Sequence, residues 1–540
     1  MSKKTKTVIE PIGVTRYILR VLVSAYVLIM FVAMPLIYHD KYFDIGDFKF
    51  DMYAKITIVM LVAVGIVWVV HLIYFVKKQE SMNALVQYLK EAVRKFTVLD
   101  WFVIGYAAIA TLSYLLSDFK EASLSGYDGW KMGLLSQLSF VLLYFLISRF
   151  WCENWKQDLI WILCTASAIT FLLAILHRFM IDPLALYEGI DSGYYIQFLT
   201  TIGQATWYSS FLCTVLPVGV VLFWYCDKRW QRVCLGIYCF LGFSSLVTQN
   251  SDSAFLALGA ICFTLFCLSF DSEKKFKRFL EAMILALASM RVMGILQIVF
   301  ADRAVQLDTL SIFFSQNAIL WAVLVVLFVA YAGIIYAEKK DKFQISDWKW
   351  LRTLAIILLI GGFFAMFNLI IQTTNGELPS MMAGLYDSQY FNFNETWGNN
   401  RGFTWQYSAK MFAEYPFKEK IIGIGPDAYA SYTYLHYAEE VSAKWGDSVL
   451  TNAHNEWFNM MINEGILGLI SYGGIFISAA CIFIKNRKKD MMLPAVAICI
   501  FSYLFHNMFC YQQVMCTPII FILIGIGACY LRTSGEFKQS

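Results

Sequence analysis

Residues 55–76 read KITIVMLVAVGIVWVVHLIYFV, and Lys77 and Lys78 follow directly. Apart from Lys55 at its start and His71 near its end, the run contains no ionisable side chain except one tyrosine. An α-helix rises about 1.5 Å per residue, so about 20 apolar residues cross the hydrocarbon core of a bilayer. This stretch therefore predicts a membrane-spanning helix that ends at a pair of lysines.

About fourteen runs of this kind occur along the chain, and twelve or thirteen spans are the alternative count. They lie at 17–37, 55–76, 101–117, 132–150, 157–177, 207–226, 233–249, 254–270, 279–300, 318–336, 353–372, 465–484, 491–511 and 515–531. Of the 540 residues, 59% are hydrophobic and only 15% are charged, and the mean hydropathy is +0.58. A soluble chain is about a quarter charged. We predict an all-α, polytopic helical membrane protein, which excludes soluble enzymes, disordered chains, coiled coils and secreted disulfide scaffolds.

Basic residues predict the orientation of these spans. They cluster on alternate connections, at Lys77–Lys78, Lys228–Arg229, Lys274–Lys275, Lys339–Lys340 and Arg487–Lys489. Cytosolic loops of membrane proteins carry such an excess of Lys and Arg. Both termini are therefore predicted to be cytosolic. The first run is predicted to remain as a membrane anchor, since it is long enough to span the bilayer and lacks a small-residue cleavage site.

Two connections are long. Residues 77–100 contain a predicted amphipathic helix near 80–95 that would lie on the inner leaflet. Residues 373–452 form a predicted extracytoplasmic loop with five basic and nine acidic residues, rich in Tyr, Trp, Asn and Gly. Loops beyond about 15 residues in compact structures are usually functional or disordered, and the aromatic content argues against disorder. We predict three parts: an N-terminal bundle of about eleven helices at 1–372, this loop, and C-terminal helices at 453–540.

Several classes of chemistry are not indicated. None of the 13 cysteines lies in the long loop, and no CxxC or Cys/His spacing predicts a disulfide or a metal site. No GxGxxG or Walker pattern predicts nucleotide use. The spans contain few ionisable groups and no Asp/Glu/His relay, so proton-coupled transport gains little support. We predict no cofactor, no metal and no nucleic-acid partner, and an enzyme that acts at the outer membrane face.

The most informative stretch starts at Arg401. Residues 401–412 have an amphipathic helical period, and Tyr415–Pro416 would end that helix. The sequence GIGP at 423–426 predicts a tight turn or a close approach of two backbone segments.

His454 follows in the sequence TNAHNEWF. Thr451 or Asn452 could cap a helix that begins near Ala453, which would place His454 in a first helical turn. A helix N-terminus disfavours the imidazolium, so the side chain would stay neutral and able to accept a proton. The alternative is a histidine that only forms hydrogen bonds within the loop.

The order and spacing of these residues resemble the C-terminal signature of the O-antigen ligase and O-antigen polymerase superfamily, which includes pilin-type oligosaccharyltransferases. The matching residues are Arg401, Trp405, Pro416, Gly423, Gly425, Pro426, Ala453, His454, Asn455, Glu464, Gly465 and Gly468. The resemblance implies a glycosyltransferase-C-like fold and a metal-independent transferase in the plasma membrane, taking part in cell-surface polysaccharide biosynthesis. The donor would be an undecaprenyl-diphosphate-linked glycan, His454 would activate the acceptor hydroxyl, and Arg401 would hold the diphosphate.

The acceptor stays open at this point. Ligation to a lipid, polymerisation of glycan repeats and transfer to a protein share the same signature. Two rival functions do not need His454 for catalysis: a non-enzymatic polysaccharide flippase or transporter, and an envelope-assembly subunit.

One position departs from the superfamily pattern. Many members carry Ser-Arg at the outer start of a middle span, and this chain has Ser251-Asp252 there. Arg291 is the predicted substitute for donor binding, because an arginine inside a span should face a polar cavity. Arg291 could instead reach an interface or pair with Asp252, and Arg303 in a short outer loop is a weaker candidate.

Four further residues are candidates for substrate binding. Gln204 and Tyr208 open the span after the 179–206 loop and could line a glycan pocket, or could cap the helix and anchor it at the interface. Asp427, just past the glycine turn, could bind sugar hydroxyls or stabilise the loop. Asn455 could orient His454 or cap the following helix.

Overall fold

The computed structural model describes residues 6–79, 86–87, 90–91, 93–129, 131–151, 156–446 and 448–533. Its first ten helices are α1 Lys6–Leu36, α2 Ile45–Gln79, α3 Val98–Leu116, α4 Lys120–Ser125, α5 Leu134–Phe150, α6 Lys156–Arg178, α7 Ala205–Tyr225, α8 Arg229–Thr248, α9 Ser253–Ser269 and α10 Glu273–Val299. Two short strands, β1 Phe198–Leu199 and β2 Gly203–Gln204, pair antiparallel before α7.

The later helices are α11 Thr309–Gln316, α12 Ile319–Glu338, α13 Lys349–Asn375, α14 Trp397–Glu414, α15 Phe417–Ile422, α16 Tyr429–His436, α17 Ala438–Trp445, α18 Glu456–Lys485, α19 Met492–His506 and α20 Thr517–Thr533. Short 3-10 segments occur at Ser192–Gln197, Ile345–Trp348 and Ser380–Asp387. We call the side of the bundle that carries the connection between α13 and α18 the loop side.

The predicted membrane architecture is confirmed. Within the described residues, ten helices are long and apolar enough to cross a membrane, and four shorter apolar helices accompany them. Together they coincide with the fourteen apolar runs of the sequence. The chain is an all-α, multi-pass membrane protein. The predicted interfacial helix near 80–95 falls largely outside the described residues.

The spans differ in how deeply they are buried. Helix α7 is the most enclosed of the long spans, with 83% of its most apolar window buried, and it packs against α19, which also contacts α9 and α20. In contrast, the corresponding windows of α12 and α13 are 6% and 0% buried. The interior is thus built by α7, α9, α19 and α20, while α12 and α13 present apolar side chains to the surroundings, as expected of helices facing lipid.

The predicted span 491–511 is too long by five residues. Helix α19 ends at His506, and residues 507–516 are irregular before α20 begins. Backbone groups of this segment are bonded within the protein: the Asn507 carbonyl accepts from the Glu456 amide at 2.9 Å, and the Gln512 amide donates to the Glu456 carboxylate at 2.8 Å. Irregular backbone is tolerated near membrane depth when it is enclosed by protein in this way.

The connection on the loop side is folded around its own apolar cluster. The buried members of this loop cluster are Phe403, Met411, Tyr415, Ile424, Ala428, Tyr429, Tyr437, Val441, Leu450, Ala453 and Ile462. Four of them lie in α14, α16 and α17, six lie in the connections between these helices and before α18, and Ile462 belongs to the start of α18. The cluster therefore fastens the long loop onto α18 and fixes the residues that precede this helix.

Candidate active site

His454 lies just outside α18, so the prediction of a first-turn histidine is wrong. The helix starts at Glu456, and the side chain of Asn455 caps it by accepting from the amides of Trp457 and Phe458 at 2.9 and 3.2 Å. His454 has a left-handed backbone with φ of +48°, and its amide donates to Asn452 Oδ1 at 2.8 Å. Thr451 and Asn452 are therefore not caps of α18. The polar side chains of Asn452 and Asn455 instead shape the turn that presents His454.

The imidazole of His454 lies between two aromatic side chains and is partly exposed. The ring of Trp445 is parallel to it at a centroid distance of 6.1 Å, and the ring of Tyr511 meets it edge-on at 5.4 Å. Burial, and then the nearby charge of Arg401, lower the pKa of His454 to about 3. The imidazole is therefore neutral at physiological pH and has a nitrogen lone pair that can accept a proton.

Arg401 follows three consecutive left-handed residues, 398–400, and starts the regular part of α14. Gly and Asn are the residue types that tolerate this backbone conformation. The guanidinium Nη1 donates to the Gly398 carbonyl at 2.7 Å, and Nη2 donates to the Phe509 carbonyl at 3.1 Å. Nε is buried and has no partner among the described residues. These contacts leave donors of the five-donor fork available for an anion.

Two acidic groups, Asp252 and Asp308, also belong to this region. The hydroxyl of Tyr390 donates to the Asp252 carboxylate at 3.4 Å, and the charges of Asp308 and Arg401 both act on that carboxylate. Desolvation by the surrounding protein, and then the like charge of Asp308, raise the pKa of Asp252 to about 6. Asp252 is thus at the candidate site in the position where the superfamily pattern has arginine, and it brings negative charge there.

The glycine motif joins the loop to α18 by close backbone contact. Gly423 and Gly465 have φ of +81° and +69°, and a Cβ on either would approach backbone atoms of the other segment to within 2.4 Å. The Gly425 amide donates to the Asn463 carbonyl at 2.9 Å. Only glycine allows both the positive φ and this approach. The predicted close approach at the GIGP turn is confirmed, and its effect is to hold the end of the long loop against the helix that His454 precedes.

The two arginines proposed as donor-site substitutes bind carbonyl groups elsewhere. Arg291 is 1% exposed and donates to the carbonyls of Asn317 at 2.8 Å and Phe314 at 2.5 Å, around the C-terminus of α11. It therefore does not pair with Asp252. Arg303 is exposed, and its Nε donates to the Phe179 carbonyl at 2.9 Å. A role of either residue in donor binding stays a prediction, and the contacts point to a structural role.

The remaining candidates for substrate binding are Asp427, Tyr208 and Gln204. Asp427 Oδ2 accepts from the amides of Tyr127 and Met132 at 2.8 and 2.9 Å, and burial raises the pKa of this carboxyl to about 7. The carboxylate thus ties the loop to the 127–132 connection, which favours the loop-stabilising alternative. Tyr208 is fully buried in the main core, and Gln204 occupies the position before α7 without capping it. A glycan-binding role of these three residues stays a prediction.

Four residues at the site were missed in the sequence: Trp445, Tyr511, Tyr390 and Asp308. Tyr511 and Asp308 are far from His454 and Arg401 in sequence, Trp445 and Tyr390 lie 9 and 11 residues before them, and none of the four has a distinctive local motif. Tyr511 is the last residue of the predicted span 491–511. For Trp445 and Tyr390 the available signal was the high aromatic content of the long loop, which does not single out particular rings.

Comparison with known proteins agrees with the motif. Residues 304–473 match the family model described as O-antigen ligase. The matched segment covers less than a third of the chain and contains Arg401, the glycine turn, His454 and the first half of α18. It confirms the resemblance to the O-antigen ligase superfamily. No significant match was found among curated proteins.

Proposed function

We propose that this membrane protein is a glycosyltransferase of the O-antigen ligase type, which moves a glycan from undecaprenyl diphosphate to an acceptor hydroxyl. The observation that carries the proposal is the pairing of a neutral, partly exposed His454 with the partly free donor fork of Arg401 inside the matched segment. Ligation and polymerisation are both compatible with this pairing.

The reaction follows from these two side chains. His454 takes the proton from the acceptor hydroxyl while that oxygen attacks the anomeric carbon of the donor sugar. The bond between the anomeric carbon and the diphosphate oxygen breaks, and its electron pair leaves with the diphosphate. General-base assistance of this kind is worth about 10²–10⁴ in rate. Arg401 would stabilise the growing negative charge of the leaving diphosphate through charge-assisted hydrogen bonds.

Binding of the donor would also adjust His454. Arg401 lowers the pKa of the imidazole because its positive charge disfavours the imidazolium. A bound diphosphate would offset that charge, so the imidazole would become a stronger base once the donor is in place. Without donor, His454 would thus stay neutral. With donor bound, the proton affinity of its imidazole would rise, which favours removal of the proton from the acceptor hydroxyl.

A reconstituted assay tests the proposal. The purified chain in liposomes, supplied with the lipid-linked glycan of its host and with host acceptor lipids or proteins, should form a glycosylated acceptor. The reaction should continue in EDTA, since no group of three or more His, Cys, Asp or Glu side chains that could hold a metal occurs in the described parts of the chain. Movement of the glycan lipid across the bilayer with no covalent product would favour a flippase instead.

The proposed enzyme lies in the plasma membrane with its active site at the extracytoplasmic face and both termini in the cytosol. The distribution of basic residues indicates this orientation. We therefore expect a cysteine introduced at Asp387 or Lys444 to react with an impermeant maleimide added to intact cells. A cysteine at Lys340 should react only after permeabilisation. Labelling of Lys340→Cys in intact cells would contradict the orientation and the extracytoplasmic site.

The pKa of Asp252 predicts a pH dependence of donor binding. Because this carboxyl has a raised pKa of about 6, it is ionised at neutral pH and becomes protonated as the pH falls through about 6. Its negative charge beside Arg401 opposes an anionic donor, so the KM for the donor should fall on acidification. Asp252→Asn should lower the KM about two- to tenfold at neutral pH and remove this pH dependence. An increased KM in Asp252→Asn would show that the carboxylate itself contacts the substrate.

A further inference from the structure

The side chain of His454 is held in an unusual way for a general base. Among the residues that the structure describes, neither ring nitrogen of His454 has a hydrogen-bond partner. A histidine that moves protons is commonly oriented by a hydrogen bond from one ring nitrogen to a carboxylate or carbonyl. Here the contacts that define the ring plane are those with Trp445 and Tyr511.

We propose that Trp445 and Tyr511 are positioning residues for the base, which rests on the proposed function of His454. The indole of Trp445 is parallel to the imidazole, with 3° between the ring planes and 6.1 Å between the centroids, and Tyr511 stands nearly perpendicular to it at 73°. A parallel ring and a perpendicular ring next to the imidazole restrict its rotation about the side-chain bonds of His454. The nitrogen at the accessible edge then stays directed toward the acceptor hydroxyl without a hydrogen bond to fix it.

Each positioning side chain is itself packed against other parts of the protein. Trp445 is the last residue of α17 and packs on the loop cluster, where Val441 of the same helix is fully buried. Tyr511 is 4% exposed and lies in the irregular 507–516 segment between α19 and α20. The base is therefore clamped between a ring of the long loop and a ring of the membrane bundle, and it adopts its orientation only when the loop is docked on the bundle.

The same two rings contribute to the partial burial of the imidazole. Burial is the larger cause of the low pKa of His454, ahead of the charge of Arg401. Loss of one ring should therefore have two separate effects: a less well oriented base, and a more hydrated imidazole that protonates at higher pH. A loss of folded protein alone would reduce the activity without moving the pH profile.

The experiment compares Trp445→Ala with Trp445→Phe and Tyr407→Ala in the reconstituted transfer assay. Tyr407 is the matched control, because it is also a half-buried ring packed on the loop cluster, but its ring contacts are with Phe403 and Tyr437. We expect Trp445→Ala to lower kcat about 10- to 100-fold with a small change in the KM for donor, since misplacement of a reacting group by about 1 Å has effects of that size. Trp445→Phe should restore most of the activity, and Tyr407→Ala should stay within a few-fold of the unmodified protein.

The pH profile provides the second measurement. The acid limb of kcat should move to higher pH in Trp445→Ala and in Tyr511→Leu, toward the ordinary histidine pKa, and Tyr511→Phe should leave it in place. Imidazole NMR of labelled protein should show the same upward shift for His454, and this readout does not need turnover. Equal activity and identical acid limbs for Trp445→Ala and Tyr407→Ala would overturn the inference, while absence of transfer by the unmodified protein would overturn the proposed function itself.

Discussion

Replacing His454 with alanine is expected to abolish glycan transfer. The variant lacks the neutral, partly exposed imidazole that is proposed to take the acceptor proton, so the rate should fall by about 10²–10⁴. In cells carrying the variant, the normal acceptor should lack its surface polysaccharide. Gel analysis of glycosylated acceptor, with immunoblotting for the membrane protein, provides the measurement.

The structure adds a sharper control for this prediction. His454 has φ of +48°, and its ring contacts those of Trp445 and Tyr511, so alanine removes these ring contacts and also strains the backbone. Asparagine adopts left-handed backbone readily and is not a base at neutral pH. His454→Asn should therefore keep the expression level and the unfolding temperature close to those of the unmodified protein and still be inactive. An active His454→Asn variant would show that His454 is not the general base.

Replacing Arg401 with alanine should have an effect of similar size, for a different reason. The guanidinium is the cation next to His454, and two of its donors already hold the Gly398 and Phe509 carbonyls. Alanine would remove both the charge for the diphosphate and the link between α14 and the 507–516 segment. Arg401→Lys keeps the charge but cannot serve two carbonyls and an anion with a planar fork, so it should retain at most a small part of the activity.

Lys410→Ala is the matched control on the same helix. Lys410 is also cationic, but it is exposed, and its contacts are with Glu440 and the rings of Tyr407 and Tyr437. Initial rates at saturating donor should be nearly unchanged in Lys410→Ala and strongly reduced in Arg401→Ala. Similar rates in the two variants would mean that the positive charge of Arg401 does not act on the reaction.

Much of the membrane architecture could be predicted from the sequence because the bilayer imposes one simple requirement on each span. Runs such as 55–76 and 353–372 are long and apolar, and each became a long helix. The exception at 491–511 shows the limit of this signal. Residues 507–511 are apolar enough to extend a span, but Asn507 and Gln512 bond with the start of α18, and the helix ends at His506. Hydropathy does not report which backbone groups find partners in another segment.

The candidate site was predictable only where a residue carries its chemistry in a local motif. Arg401, His454 and the glycine turn are recognisable by type and spacing, and the structure explains the glycines by backbone contacts at Gly423 and Gly465. Asn455 was foreseen as a possible cap and is one. Arg291 was predicted to bind the donor because it is an arginine within a span. Its position in the sequence does not reveal that carbonyl groups around the end of α11 bind its side chain.

Trp445, Tyr511 and Tyr390 escaped prediction for another reason. Their importance depends on which residue they meet in the folded protein, and that depends on how the long loop folds and docks on the bundle. Aromatic residues are frequent throughout the chain, at 17% of all residues, so an individual ring carries no signal. Tertiary packing gives such rings their role, and packing is not encoded in any short stretch of sequence.

The most direct test of the account is a single-turnover measurement with His454→Gln. Glutamine keeps a polar side chain of similar reach but cannot accept the proton of the acceptor hydroxyl. Unmodified protein in liposomes, mixed with a radiolabelled undecaprenyl-diphosphate glycan and its acceptor, should release undecaprenyl diphosphate and labelled product in equal amounts. His454→Gln should still bind the donor with an unchanged Kd, because Arg401 remains, and should form product at least about 100-fold more slowly. Product formation by His454→Gln at the rate of the unmodified protein would contradict the account.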